Sequence, residues 1–175
     1  NGIAIIPTPI FHDNKVYVTS DYGTGCGLVA LTPNESGISS KIVYENKVME
    51  NHHGGVVLLD GHIYGASGNC NNRAARWKCQ NLLTGEAKWE SEKLNQTGSL
   101  TVAGGRLYIY GQNDGTVVLV EPSTKEWIET GRFKIPETTK IERQSGKIWT
   151  HPVVSNGKLF LRDFDLVFCF DVSSK

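Results

Sequence analysis

Apolar residues in this chain come in short runs that end at Gly, Asn, Asp or Pro, without the longer periodic stretches an amphipathic helix needs. The pattern therefore predicts strands throughout. Four segments share one phrase: an apolar strand, a two-residue turn, a polar or basic residue, then an apolar residue followed by an aromatic one. They are Ile10-Phe11-His12-Asp13-Asn14-Lys15-Val16-Tyr17, Leu58-Leu59-Asp60-Gly61-His62-Ile63-Tyr64, Val102-Ala103-Gly104-Gly105-Arg106-Leu107-Tyr108 and Val154-Ser155-Asn156-Gly157-Lys158-Leu159-Phe160. Asp-Gly, Gly-Gly and Asn-Gly adopt positive φ at little cost, as tight hairpin turns require, and Asp13-Asn14 is a weaker form of the same device.

Each unit continues with a third strand: Leu28-Val29-Ala30-Leu31, Trp77-Lys78-Cys79-Gln80, Val117-Val118-Leu119-Val120 and Leu166-Val167-Phe168-Cys169-Phe170. A more polar fourth strand follows in three units, at Lys41-Ile42-Val43-Tyr44, Ala87-Lys88-Trp89-Glu90 and around Trp127 to Phe133. A repeat of roughly 40–50 residues with about four strands per unit is the pattern of a β-propeller blade. The expected fold is all-β, a propeller of four-stranded antiparallel blades at about 7–50, 51–97, 98–148 and 149–175. The fourth unit has no outer strand, while Ile3-Ala4-Ile5-Ile6 stands before the first without a partner in it. Residues 1–6 are thus read as the outer strand of a preceding blade or of a closing one.

Eighteen basic and eighteen acidic residues cancel, which sets nucleic-acid binding aside, since that class shows a clustered basic excess. No apolar run is long enough for a membrane-spanning helix. Cys26, Cys70, Cys79 and Cys169 form no C-x-x-C pair, against zinc-ribbon, thioredoxin and c-type haem readings. Four free thiols are the first expectation. Cys70, in the polar loop Gly68-Asn69-Cys70-Asn71-Asn72, is where a disulfide would be sought.

Cys79-Gln80-Asn81-Leu82-Leu83-Thr84-Gly85-Glu86-Ala87-Lys88-Trp89 is similar to the A-x-D-x-x-T-G-x-x-x-W repeat of quinoprotein propellers, with Cys for Ala and Asn for Asp. The other units match in part: Leu119, Glu121 and Thr124 with a shifted Trp127, then Cys169, Asp171 and Ser174. Further phrases, including Asn51-His52-His53-Gly54-Gly55-Val56-Val57 and Trp149-Thr150-His151-Pro152-Val153, resemble the C-terminal half of pyrroloquinoline-quinone-like β-propeller repeat proteins, loosely labelled polyvinyl-alcohol dehydrogenase-like. The resemblance covers almost the whole chain. It implies structural roles for Trp89 and Trp127 between blades, a periplasmic or cell-envelope setting in bacteria, and relatives about twice as long. An open half-propeller, covered by further blades or by a second copy, is therefore expected over a small closed ring.

The sharpest polar constellation is His52 and His53 with Trp149, His151, Arg162 and Asp163. His52 and His53 precede the innermost strand of the second unit and His151 that of the fourth, and such positions converge on one mouth of a propeller, where ligands bind. Two histidines and a carboxylate suit a metal. The plainer expectation is that they hydrogen-bond blade-connecting loops, because adjacent residues of an extended segment point opposite ways. Arg162 and Asp163 are read as an internal ion pair in preference to a channel lining. The glycine-bearing loops Asp21-Tyr22-Gly23-Thr24-Gly25 and Gly111-Gln112-Asn113-Asp114-Gly115 lead into no helix and are read as ordinary hairpin loops.

The resemblance would bring pyrroloquinoline quinone as cofactor, stacked between an aromatic ring and, in the alcohol-oxidising type, a vicinal disulfide, with calcium beside it. The sequence has no Cys-Cys pair, so quinone is not expected in this chain alone. No G-x-S-x-G elbow supports a hydrolase. The leading expectation is a binding or scaffolding propeller of the cell envelope, analogous to the propeller lipoprotein of the outer-membrane barrel-assembly machinery, with a protein or small-molecule partner. The alternatives are a quinone-dependent alcohol dehydrogenase completed by further blades, and a metal- or carbohydrate-binding protein using the histidine mouth.

Overall fold

The computed structural model describes residues 2–68, 74–144 and 146–173. Cys70, on which the disulfide question turned, lies outside them. The first sheet comprises β1 (Ile10–His12), β2 (Lys15–Ser20), β3 (Gly25–Asn34) and β4 (Gly37–Asn46). The second has β5 (Val56–Leu59), β6 (His62–Ser67), β7 (Arg76–Asn81) and β8 (Ala87–Ser91). The third has β9 (Gly98–Ala103), β10 (Arg106–Gly111), β11 (Thr116–Glu121) and β12 (Ile128–Lys134), and the fourth β13 (Val153–Ser155), β14 (Lys158–Asp163) and β15 (Leu166–Asp171). Within every sheet each strand pairs antiparallel with the next in sequence. There is no helix among the described residues, hence none long and apolar enough to cross a membrane.

The repeat has one geometry throughout. All four β-hairpins that open the sheets turn on two residues with positive φ: 47° and 54° at Asp13-Asn14, 47° and 73° at Asp60-Gly61, 55° and 70° at Gly104-Gly105, and 49° and 70° at Asn156-Gly157. That is the turn whose twist matches the strands it joins. The third and fourth strands of the first three sheets also share a bulge, at Leu28/Val29, Cys79/Gln80 and Leu119/Val120. A bulge there increases the local twist of the outer edge. In the motif turn of the second sheet, Asn81 Oδ1 accepts hydrogen bonds from the amides of Leu83 and Thr84, both at 2.9 Å, and Gly85 sits at φ 73°. Asn81 serves here because the turn needs only a side-chain carbonyl oxygen within reach of the amides two and three residues on.

Neighbouring sheets pack face to face. Tyr17, Leu28, Ile63 and Leu82 join the first to the second, and Tyr110, Val117, Leu159 and Leu161 join the third to the fourth. Between the second and third lies an aromatic core. Trp77 and Trp127 have ring centroids 6.1 Å apart, and Trp89 meets Trp127 edge-on at 6.2 Å. Their polar ends are satisfied: Trp77 Nε1 donates to the Gln96 carbonyl at 3.0 Å and Trp89 Nε1 to that of Ser123 at 2.7 Å. Both predicted interface tryptophans, Trp89 and Trp127, therefore lie at a blade boundary. The chain is a run of β-propeller blades, three four-stranded and one three-stranded among the described residues.

Near the inner strands the backbones approach so closely that side chains have no room. A Cβ on Gly54 would lie 1.8 Å from the carbonyl oxygen of Gly98, and one on Gly98 would lie 2.1 Å from that of Tyr110. Residues 2–9 belong to no strand, so residues 3–6 pair with none of the four sheets. This segment is held instead by contacts such as Ser20 Oγ donating to the Ala4 carbonyl at 3.4 Å. The fourth sheet accordingly gains no outer strand from it, and among the described residues no core cluster joins the fourth sheet to the first.

Replacing Trp127, which is buried, by Ala should cost about 3–5 kcal/mol in chemical unfolding. The half-buried Trp89 should cost less. Equal and negligible losses at both would show that the aromatic core does not hold the second and third sheets together.

Candidate functional site

Because strand direction alternates, the β2–β3, β10–β11 and β14–β15 loops lie at the same end of the sheets as the starts of β5, β9 and β13. Tyr22, His52, His53, Trp149 and His151 come from three of these places. His52 Nε2 and the Tyr22 hydroxyl are 2.8 Å apart. The His53 ring stacks on Trp149 with centroids 3.9 Å apart and 12° between planes. His52 and His53 are themselves in contact, their rings 3.6 Å apart and at 71°. His151 abuts the same segment, with Cε1 3.2 Å from the position a Cβ on Gly55 would take.

The expectation that His52 and His53 point opposite ways is therefore corrected. Side chains alternate only along an extended strand, and residues 51–55 are not one: the chain bends there, with Gly55 at φ 65°. Behind the rings, Asn51 is buried, its amide donating to the Ala66 carbonyl at 2.9 Å. Asn51 Oδ1 and His53 Nδ1 are both enclosed, with no hydrogen-bond partner among the described residues. Burial lowers the pKa of both histidines, partly opposed by the Asp21 carboxylate. For His53 the neighbouring His52 adds to burial, and the value falls to about 4. Both rings are thus neutral at pH 7, His52 able to exchange a hydrogen bond with a phenol and His53 able to stack on an indole.

Asp163 and Arg162 leave this cluster. Asp163 is fully buried and pairs with Arg143, not with its neighbour Arg162, while its Oδ2 accepts the Thr139 amide at 2.9 Å. An internal ion pair exists, but with a different cation from the one the sequence suggested. Residues 162 and 163 alternate in β14, so Asp163 faces inward and Arg162 outward. Asp163 anchors the long connection between β12 and β13, and Asp165 binds Thr139 from the same turn. Arg162 Nε donates to the Phe164 carbonyl at 2.7 Å, and its side chain borders an open cleft with Arg143, Lys147, Trp149 and Phe164.

The sequence reading missed Tyr22, Arg143 and Lys147. Tyr22 was legible in principle, since its loop faces the same end as the histidines once strand directions are counted. Nothing in the spacing of Arg143 and Asp163 announces their pairing. Among the described residues no group of three His, Cys, Asp or Glu side chains comes together to hold a metal ion. A quinone with its calcium does not fit these residues either. One indole face of Trp149 is occupied by His53, its benzo edge lies 2.7 Å from where a Cβ on Gly146 would stand, and no carboxylate cluster adjoins it among the described residues.

No family model matches the sequence, and no curated protein matches it. Among solved structures the chain is similar to BamB from Moraxella catarrhalis, with a TM-score of 0.63 and 18% sequence identity. What the two share is the propeller fold. The match covers 94% of this chain and 43% of that one, so this chain spans less than half of BamB's length.

Two outcomes follow. Below its ordinary 6.5, His53 in the unfolded chain takes up a proton that the folded protein refuses until about pH 4. Its contribution to stability is therefore complete above pH 6.5 and lost as the pH falls toward 4. Proton NMR should show the His53 ring titrating well below 6.5, and His53→Phe should remove that part of the acid sensitivity; an ordinary titration would contradict the buried stack. Asp163→Ala, which strands Arg143 and frees the Thr139 amide, should cost about 3–5 kcal/mol in denaturant unfolding. Retention of wild-type stability would show that the anchor is dispensable.

Proposed function

We propose that this chain is a section of a longer cell-envelope β-propeller that works as a binding or scaffolding module, its end sheets covered by further blades of the same kind. One observation carries this reading: the outward faces of the first and fourth sheets are apolar and open. On the first, Phe11, Val18 and Ile42 are exposed, and an apolar cleft of about 420 Å³ is bordered by Ile5, Val18, Val29 and Tyr44. On the fourth, Val153, Phe160 and Val167 are exposed. Inside the run the same repeat positions are covered: Tyr64, in the place that Phe160 holds, is 3% exposed against 38% for Phe160.

Apolar faces of this extent in a sheet protein mark contact surfaces. Their occupant is argued from continuity, because a blade on either end would extend the packing already present between the sheets. The similarity to less than half of a longer propeller supports that choice, and the envelope setting rests on the family resemblance of the sequence. A site at one end of such a stack, made of loops from several blades, suits recognition more than chemistry.

The chain by itself should bind a hydrophobic dye and self-associate in analytical ultracentrifugation, and Phe11→Lys with Val167→Lys should reduce both signals. A monomeric, dye-silent chain would overturn the proposal of covered end faces. Fractionation of cells that make the whole protein tests the setting: recovery in the cytosol would overturn the envelope reading and leave the stacking argument intact.

A further inference from the structure

The cleft beside the fourth sheet carries charge that the protein itself does not neutralise. It has a volume of about 330 Å³ and is lined by Arg143, Lys147, Trp149, Arg162 and Phe164, with Ile148 and Thr150. Its three ionisable residues are all cations. Arg143 is spoken for: it pairs with buried Asp163 and donates through Nη1 to the Lys147 carbonyl at 3.1 Å. Among the described residues, neither Lys147 nor Arg162 forms an ion pair with a carboxylate. Arg162 uses only Nε, on the Phe164 carbonyl, which leaves its two terminal nitrogens as a fork beside the cleft. Glu142 borders the adjoining cleft with Arg143 and Lys147 and does not line this one.

The apolar side is equally unusual. Phe164 is the first residue of the two-residue β14–β15 turn, at φ 55°, where glycine is ordinarily chosen, and it is half exposed. A phenylalanine held in that conformation on the surface contributes nothing to a core. Its ring stands 6.0 Å below the Arg143 guanidinium. Trp149, also exposed, closes the other side, where it links this cleft to the histidine cluster through the His53 stack.

We infer that this cleft is a binding site for an oxyanion carried on a ring, and specifically for a carboxylated sugar. The free fork of Arg162 matches the two oxygens of a carboxylate, Lys147 supplies a second positive charge, and the exposed rings of Phe164 and Trp149 supply apolar surface for the body of the ligand. The volume admits one or two rings and little more. Arg162 lies on the outward face of the fourth sheet, opposite Val167, so the inference shares that face with the proposed contact surface but uses none of its apolar side chains.

The test is titration of the protein with sodium glucuronate, glucose and glucose 6-phosphate, followed by calorimetry and by NMR shifts at Phe164 and Trp149. Glucuronate should bind roughly tenfold more tightly than glucose, and more weakly at high than at low salt. Arg162→Ala should weaken it roughly tenfold, and Arg162→Lys, which keeps the charge but loses the fork, should weaken it as well. Both positions 162 and 147 are exposed, so unchanged thermal unfolding of these variants and of Lys147→Ala would confirm that folding is not what changed. Glucuronate binding no tighter than glucose, or binding unaffected by Arg162→Ala, would overturn the inference. Tighter binding of glucose 6-phosphate than of glucuronate would overturn the carboxylate assignment in favour of phosphate.

Discussion

A sheet with apolar side chains on both faces is stable only between two neighbours, and this constraint organises the molecule. The second and third sheets satisfy it on both sides. Tyr64, Trp77 and Cys79 look toward Leu100, Ile109, Val118 and Trp127, while Ile63 and Leu82 on the opposite face look toward Tyr17 and Leu28. Side-chain alternation in a strand makes this double burial possible, since consecutive residues such as Ile63 and Tyr64 enter two different cores. The first and fourth sheets satisfy it on one side only. Their outward residues keep the composition of an interface without the neighbour that would make them one.

Close packing of the blades then decides where polar groups go. At the inner strands Gly54 of the second sheet lies against Gly98 of the third, which brings the segments before β5 and β9 within reach of one another. Ser99 Oγ reaches the Thr150 carbonyl at 2.6 Å. The histidine–tryptophan cluster is a consequence: His53 and Trp149 lead into β5 and β13, the innermost strands of the second and fourth sheets, which both contact β9 between them. The connection from β12 to β13 would otherwise be loose at this end. The Asp163 carboxylate holds it through Arg143 and the Thr139 amide, and in doing so sets Arg143 and Lys147 along the cleft that Arg162 borders from β14.

The repeat was legible because it rests on local chemistry. Two-residue turns demand positive φ, and only a few residue pairs supply it, so Asp60-Gly61, Gly104-Gly105 and Asn156-Gly157 announce the β-hairpins that contain them. The short strands and polar outer edges follow from the same local rules. The segment at residues 3–6 shows the converse: an apolar run of that length has strand propensity, but a strand needs a partner, and none pairs with it among the described residues. The directions of His52 and His53 were misjudged because a period of two was applied to a segment that the bend at Gly54 and Gly55 takes out of the extended state.

By itself, then, the sequence determined the blade repeat, the order and direction of its strands, the hairpin turns and the tryptophans that pack between blades, because each depends on neighbours in the chain. It also placed histidines and Trp149 at the correct end of the sheets, since strand direction is fixed by counting. Only the tertiary structure decided which groups meet across that end: Tyr22 with His52, His53 with Trp149, and Arg143 rather than Arg162 with Asp163. Those pairings join residues 20 or more positions apart through loops that follow no repeat. Their geometry is set by how closely the glycine-lined inner strands let the blades approach.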